Sequence, residues 1–128
     1  MQKVKLFLLL TLAVSFFGVS CDKDDDKGGS SRTVKYEISG SYTGRLVISY
    51  TTASGGTTLE ETTTLPWAKE ITYASTVTGA TLGIGGNGGA AGQTISIVVK
   101  KGGTQVSSTP ATANSSGGVS AAAPTVIF

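Results

Sequence analysis

The feature that most constrains this chain is a two-residue alternation that starts near Thr33 and recurs in short segments. In Val34-Lys35-Tyr36-Glu37-Ile38 every second residue is apolar, and the same period runs through Leu46, Ile48 and Tyr50 and through Ile95, Ile97 and Val99. Successive side chains of a strand point to opposite faces, so this period marks strands with one face buried and one face wet. Turn chemistry separates them, in Gly40-Ser41-Tyr42-Thr43-Gly44, Ala53-Ser54-Gly55-Gly56 and Lys101-Gly102-Gly103. No stretch beyond residue 20 has helical periodicity.

Taken in order, the pattern predicts a strand from about Thr33. A hairpin of Arg45–Thr52 with Thr57–Thr63 follows, joined through the glycine turn. Pro66 lacks an N–H donor and belongs at a strand start or edge. After it, Trp67, Ile71 and Tyr73 share one face, with Lys69 the odd member, its stem laid along apolar surface. Thr76–Ile84 reads as a further strand, Gly85–Gly92 as a loop, and Gln93–Lys101 and Thr104–Thr109 as strands. A last strand falls near Ala121–Ile127. About seven short strands with glycine turns between them predict an all-β, antiparallel β-sandwich. Residues 33–128 suffice for one core without disulfides.

The first residues have a different texture. Lys3 and Lys5 precede an apolar run, Leu6 to Phe17, that is too short to span a bilayer as a helix. Small residues Gly18 and Ser20 then precede Cys21, the only cysteine. Residues 1–20 fit a secretory signal. Gly18-Val19-Ser20-Cys21 resembles the bacterial lipobox, although that pattern usually has Leu where Gly18 stands. The resemblance implies cleavage before Cys21 and acylation of its thiol by diacylglycerol, with a further acyl chain such as palmitate on its amine. One acyl chain anchors marginally and several anchor durably, so the expected partner of Cys21 is membrane lipid. Lys23-Asp24-Asp25 resembles the export signal of Bacteroidetes-type surface lipoproteins. It implies the outer face of the outer membrane; the alternative is the periplasmic face. Residues 21–32 also read as a solvated, self-repelling acidic spacer that passes into Gly28-Gly29-Ser30-Ser31.

Charge and composition narrow the chemistry. Ten basic and eight acidic residues give a net charge of +2, but Lys3 and Lys5 lie in the leader, so the remainder is neutral. Its bases are scattered, and nucleic-acid binding needs a basic face. There is no His, which removes the commonest general base and metal ligand, and one Cys builds no zinc cluster. No metal site and no cofactor are expected. Gly83-Ile84-Gly85-Gly86-Asn87-Gly88 satisfies G-x-G-x-x-G, but a strand-like run follows where a dinucleotide site needs a helix. Glu60 and Glu61 are adjacent and should point to opposite faces, as a solvated hairpin edge rather than an acid/base pair. A Ser–Lys pair using Lys35 or Lys69 lacks S-x-x-K spacing. No catalytic set emerges, which leaves hydrolase the weakest reading. Two aromatics stand out as ligand contacts. Trp67 is expected as the central core aromatic, or else as an exposed platform for a sugar or lipid. Tyr42, in its turn, is the best exposed candidate, whereas Tyr36 and Tyr50 have inward parity.

Three segments in order carry a family likeness: Val34-Lys35-Tyr36-Glu37-Ile38-Ser39-Gly40, then Val47-Ile48-Ser49-Tyr50-Thr51-Thr52-Ala53-Ser54-Gly55-Gly56, then Leu65-Pro66-Trp67-Ala68-Lys69. With Ile95–Val99 before Lys100-Lys101-Gly102-Gly103, this order over roughly residues 33–106 resembles the soluble domain of the MmpS family, the small mycobacterial membrane proteins. That family's domain runs V-x-Y-E-V-x-G, then Y-T-N-x-x-G, then L-P-W. The resemblance implies an immunoglobulin-like β-sandwich of seven strands that is not an enzyme, accessory to a large exporter. MmpS proteins are usually held by a transmembrane helix, where this chain has Cys21. The expectation is therefore a lipid-anchored envelope protein, acting as a non-enzymatic binding or transport-accessory module with a possible envelope protein or transporter as partner. The alternative is a small carbohydrate- or lipid-binding surface protein using exposed aromatics.

Overall fold

The computed structural model describes residues 31–128. Cys21, Lys23, Asp24 and Asp25 lie outside the described residues, as do the leader and the spacer up to residue 30. The described residues form ten strands and no helix: β1 (Thr33–Gly40), β2 (Arg45–Thr51), β3 (Thr57–Thr62), β4 (Trp67–Thr72), β5 (Gly79–Ala80), β6 (Leu82–Asn87), β7 (Thr94–Lys101), β8 (Thr104–Thr112), β9 (Val119–Ala122) and β10 (Val126–Ile127). One four-stranded sheet has the order β4-β1-β7-β8 and the other β3-β2-β6-β9, with β5 and β10 as a short ribbon. All pairings are antiparallel.

The alternation read from the sequence sets the core. Val34, Tyr36 and Ile38 from β1, Leu46, Ile48 and Tyr50 from β2, Leu82 and Ile84 from β6, and Ile95, Ile97 and Val99 from β7 are all buried in one cluster. The inner faces of the two sheets meet there, and the all-β antiparallel sandwich is the architecture of the chain. Its neighbour relations reproduce one sheet of the immunoglobulin plan and depart from it in the other. There the second strand pairs with the fifth, and a C′–C–F–G order forms the opposing sheet. Here β1 lies beside β4, and β3-β2-β6-β9 reproduces the other sheet. The place of a first strand beside β1 is taken by β7, which arrives between β6 and β9 as a hairpin with β8. Ten strands form where about seven were expected, chiefly because the expected strand Thr76–Ile84 divides into β5 and β6 and the last one into β9 and β10.

Four boundaries depart from expectation, each for a local reason. Thr76–Ile84 is not one strand, because the chain changes partner within it. Ala80 pairs with Val126, whereas Leu82 pairs with Tyr50. At the switch, the Thr81 N–H donates to Thr51 Oγ1 at 3.0 Å. The final segment divides the same way: β9 pairs with β6 and β10 with β5, across Pro124. The expected loop Gly85–Gly92 begins later, since Gly85, Gly86 and Asn87 remain in β6. Strand β8 runs on to Thr112 through Pro110, which is tolerated because β8 is an edge strand where a missing N–H need not interrupt a ladder. Pro66 stands immediately before β4, as its chemistry requires.

A hydroxyl chain crosses the core near the start of β1. Tyr73 donates to the Thr51 carbonyl at 2.8 Å, and the Tyr36 and Tyr73 hydroxyls lie 2.9 Å apart. With the Tyr73 proton committed to Thr51, Tyr36 is the donor of that pair. Burial pushes both phenols above their usual range, partly offset for Tyr36 by this hydrogen bond.

Candidate functional site

The two aromatics singled out as ligand contacts take different positions from those expected. Tyr42 is a correction: it is buried at 4% exposure, not presented to solvent. Its hydroxyl donates to the Gly117 carbonyl at 2.7 Å. Its ring lies on glycines, since a Cβ added at Gly89 would stand 2.3 Å from it and one at Gly86 would stand 2.9 Å away. The glycine-rich stretch is thus the seat that admits this ring, and the ring is unavailable to a ligand.

Trp67 is neither central nor fully exposed. It opens β4, an edge strand, where it is half-buried against the core. Its ring centroid lies 6.0 Å from that of Tyr50, tilted by 51°. Around this pair the open side of the sandwich carries a small polar group. Tyr50 comes from β2, Glu60 from β3 and Lys69 from β4, so the group bridges the outer strands of both sheets. Lys69 Nζ lies 2.9 Å from Glu60 Oε2, and the Tyr50 hydroxyl donates to the same oxygen. The Lys69 ammonium also sits 5.9 Å from the Tyr50 ring centroid. A shallow, open groove of about 410 Å³ runs alongside, bordered by Tyr50, Ala53, Thr58, Lys69 and Ile71.

The electrostatics are internally balanced. The Tyr50 hydrogen bond, then that of Lys69, holds the Glu60 carboxyl below the ordinary range. Hydrogen bonding to Glu60 raises Lys69. Burial, then the hydrogen bond to Glu60, raises Tyr50. Each group stabilises the charge state the others need, and none is left poised to take or give a proton near neutrality. The arrangement can present an aromatic edge and a neutral ion pair to a ligand. Among the described residues no three His, Cys, Asp or Glu side chains converge to hold a metal.

Glu61 points away from Glu60 and pairs with Arg45, so the two acids act separately, as strand geometry requires. The Tyr50–Glu60–Lys69 group was not recognised from the sequence, although a signal existed. If Thr51 faces Thr57 across the hairpin turn, Ile48 faces Glu60. Directly opposed residues share a face, so Glu60 lies on the core side of the hairpin and meets the inward Lys69.

A pH test follows from these shifts. The lowered Glu60 contributes stability above the unfolded carboxylate value near ~4.3, lost as pH falls through its folded value. The raised Lys69 contributes below its unfolded value near ~10.4, lost as pH rises through the folded one. Glu60→Gln should therefore cost under about 1 kcal/mol at neutral pH, as partly exposed pairs do. The deficit should shrink in acid. Urea unfolding of both proteins across pH measures it; a deficit that grows below pH ~4 would contradict the pairing.

Comparison with protein-family models, with curated proteins and with solved structures gives no match. Among the described residues no helix is long and apolar enough to cross a membrane.

Proposed function

We propose that the chain is a lipid-anchored β-sandwich of the cell envelope, serving as a non-enzymatic, MmpS-like binding or transport-accessory module. The observation that carries this is Cys21, the lone cysteine, placed directly after an apolar leader and small residues and directly before an acidic run. Ten residues, 22–31, separate it from Arg32, a leash of at most about 33–36 Å when extended. Lys23-Asp24-Asp25 supports display on the outer face of the outer membrane. The saturated Tyr50–Glu60–Lys69 group supports recognition over catalysis, and the uncovered strands β3 and β4 suit contact with an envelope protein.

The test joins metabolic labelling to protease shaving. The wild-type chain should incorporate a clickable palmitate analogue, and Cys21→Ala should abolish the label. On intact cells, external protease should remove the domain, and replacing Lys23, Asp24 and Asp25 together with Ala should protect it. Label retained in Cys21→Ala removes the anchor assignment. Full resistance of the wild type, with a known surface protein stripped in the same sample, moves the domain to the periplasmic face.

A second reading, carbohydrate or lipid binding through aromatics, now rests on the half-buried Trp67 and the groove beside Tyr50 alone, since Tyr42 is enclosed.

A further inference from the structure

The edges of the two sheets are not equally defended. An edge strand presents unpaired N–H and C=O groups, and proteins blunt such edges with proline, bulges, short strands or inward-pointing charge. Strand β8 has Pro110 and a β-bulge: Val99 stands opposite Ser107 and Lys100 opposite Gln105, so Val106 is passed over. Strand β9 has only four residues, and Pro124 follows it. Strand β4 runs for six residues with neither device, and its register with β1 is unbroken. Its one inward charge, Lys69, is drawn across to Glu60 of β3 at 2.9 Å.

The groove beside Tyr50 follows this same edge. Lys69, Glu70, Ile71 and Thr72 are consecutive, and all four border it. Their side chains alternate between half-buried and exposed, so they do not share a face. What they share is the backbone edge that β4 turns away from β1. From β3 the groove takes only Thr58. Ile71 and Tyr50 supply apolar surface within it, and Glu70 stands at its rim. Glu70 lies opposite Lys35, but the Lys35 ammonium is 3.5 Å from Glu37 instead. No Lys or Arg among the described residues is within ion-pair distance of Glu70.

We propose that β4 accepts an extended segment of a partner protein as a further strand of its sheet, a segment with a Lys or Arg flanked by apolar residues. A row of free backbone groups over four residues, about 13 Å at strand spacing, is matched by another extended backbone. Directly opposed residues share a face. The residue opposite Glu70 therefore lies on the outer face and meets an unpaired carboxylate, and those opposite Lys69 and Ile71 point into the groove. A second copy of the chain is disfavoured, because two β4 strands paired antiparallel about Glu70 would set like charges opposite each other. The inference rests on the binding-module reading above but not on the anchor, and the titration that tests it can fail with Cys21 labelled or succeed with Cys21 unlabelled.

That titration adds the end-blocked peptide Thr-Val-Lys-Val-Thr to the isotope-labelled full-length chain in phosphatidylcholine nanodiscs. Saturable amide shifts are expected at Lys69, Glu70, Ile71 and Thr72, with a millimolar midpoint. The same peptide N-methylated along its backbone keeps every side chain and loses its donors, and it should bind at least about tenfold more weakly. Glutamate in place of the peptide's lysine should weaken binding about fivefold, the effect of reversing one exposed ion pair. Glu70→Lys should invert that preference. Absence of saturation, shifts centred on β3 or β8, or equal binding of the N-methylated peptide overturns strand addition, and these comparisons use only the wild-type chain. An unchanged preference in Glu70→Lys overturns the role of Glu70.

Discussion

Tyr42→Ala should lower the unfolding free energy by about 3–5 kcal/mol, the range for removing a buried aromatic. The side chain is 4% exposed, and it joins the turn after β1 to the β8–β9 connection through its bond to Gly117. Tyr42→Phe separates the two contributions. It keeps the ring and leaves the Gly117 carbonyl without its donor, at a cost of about 1–3 kcal/mol if water cannot reach it. Gly89→Ala should also destabilise, because its new methyl would stand 2.3 Å from the ring. Equilibrium urea unfolding of the three variants is the measurement. A loss under about 1 kcal/mol for Tyr42→Ala would mean that the ring is not enclosed.

Ile97→Ala should cost about 2–5 kcal/mol. Ile97 has no exposure and lies in mid-strand, between Ile38 of β1 and Thr109 of β8. Its neighbour Val98 is half-buried on the other face, and Val98→Ala should cost well under half as much. Thermal unfolding reads the pair directly, since about 1 kcal/mol moves the midpoint by about 4–8 °C in a domain of this size. Equal losses at the two positions would place β7 one residue out of register, because such a slip exchanges the buried and exposed faces.

The parts of this fold visible in the sequence were those that depend on near neighbours. Alternation at Tyr36 and Ile38, at Leu46, Ile48 and Tyr50, and at Ile95, Ile97 and Val99 reports which face is buried, and each assignment agrees with the structure. The Thr51–Thr57 turn likewise sets its own hairpin. What escaped were contacts made at a distance. Tyr42 looked exposed because its turn is polar and glycine-rich; its acceptor lies 75 residues away. The break at Thr81 comes from a change of partner, which no local pattern encodes. The bulge at Val106 is equally silent, since Gln105-Val106-Ser107 reads as ordinary alternation. At the open edge, Glu60 and Lys69 each looked like solvated charges. Their meeting required knowing that β3 and β4 lie at the same side of the two sheets. Trp67 was expected at the centre of the core or else exposed, and Pro66 before it was compatible with a strand start as well as with an edge.

The position of β1 has a mechanical consequence. The chain enters the described fold at Arg32, directly before β1, which is an interior strand held by β4 on one side and β7 on the other. A pull applied through the preceding residues loads both ladders together, along the strand, so many hydrogen bonds must yield at once. An edge strand in that position would unzip one bond at a time. The sandwich is therefore suited to bearing a load on its N-terminal side in shear.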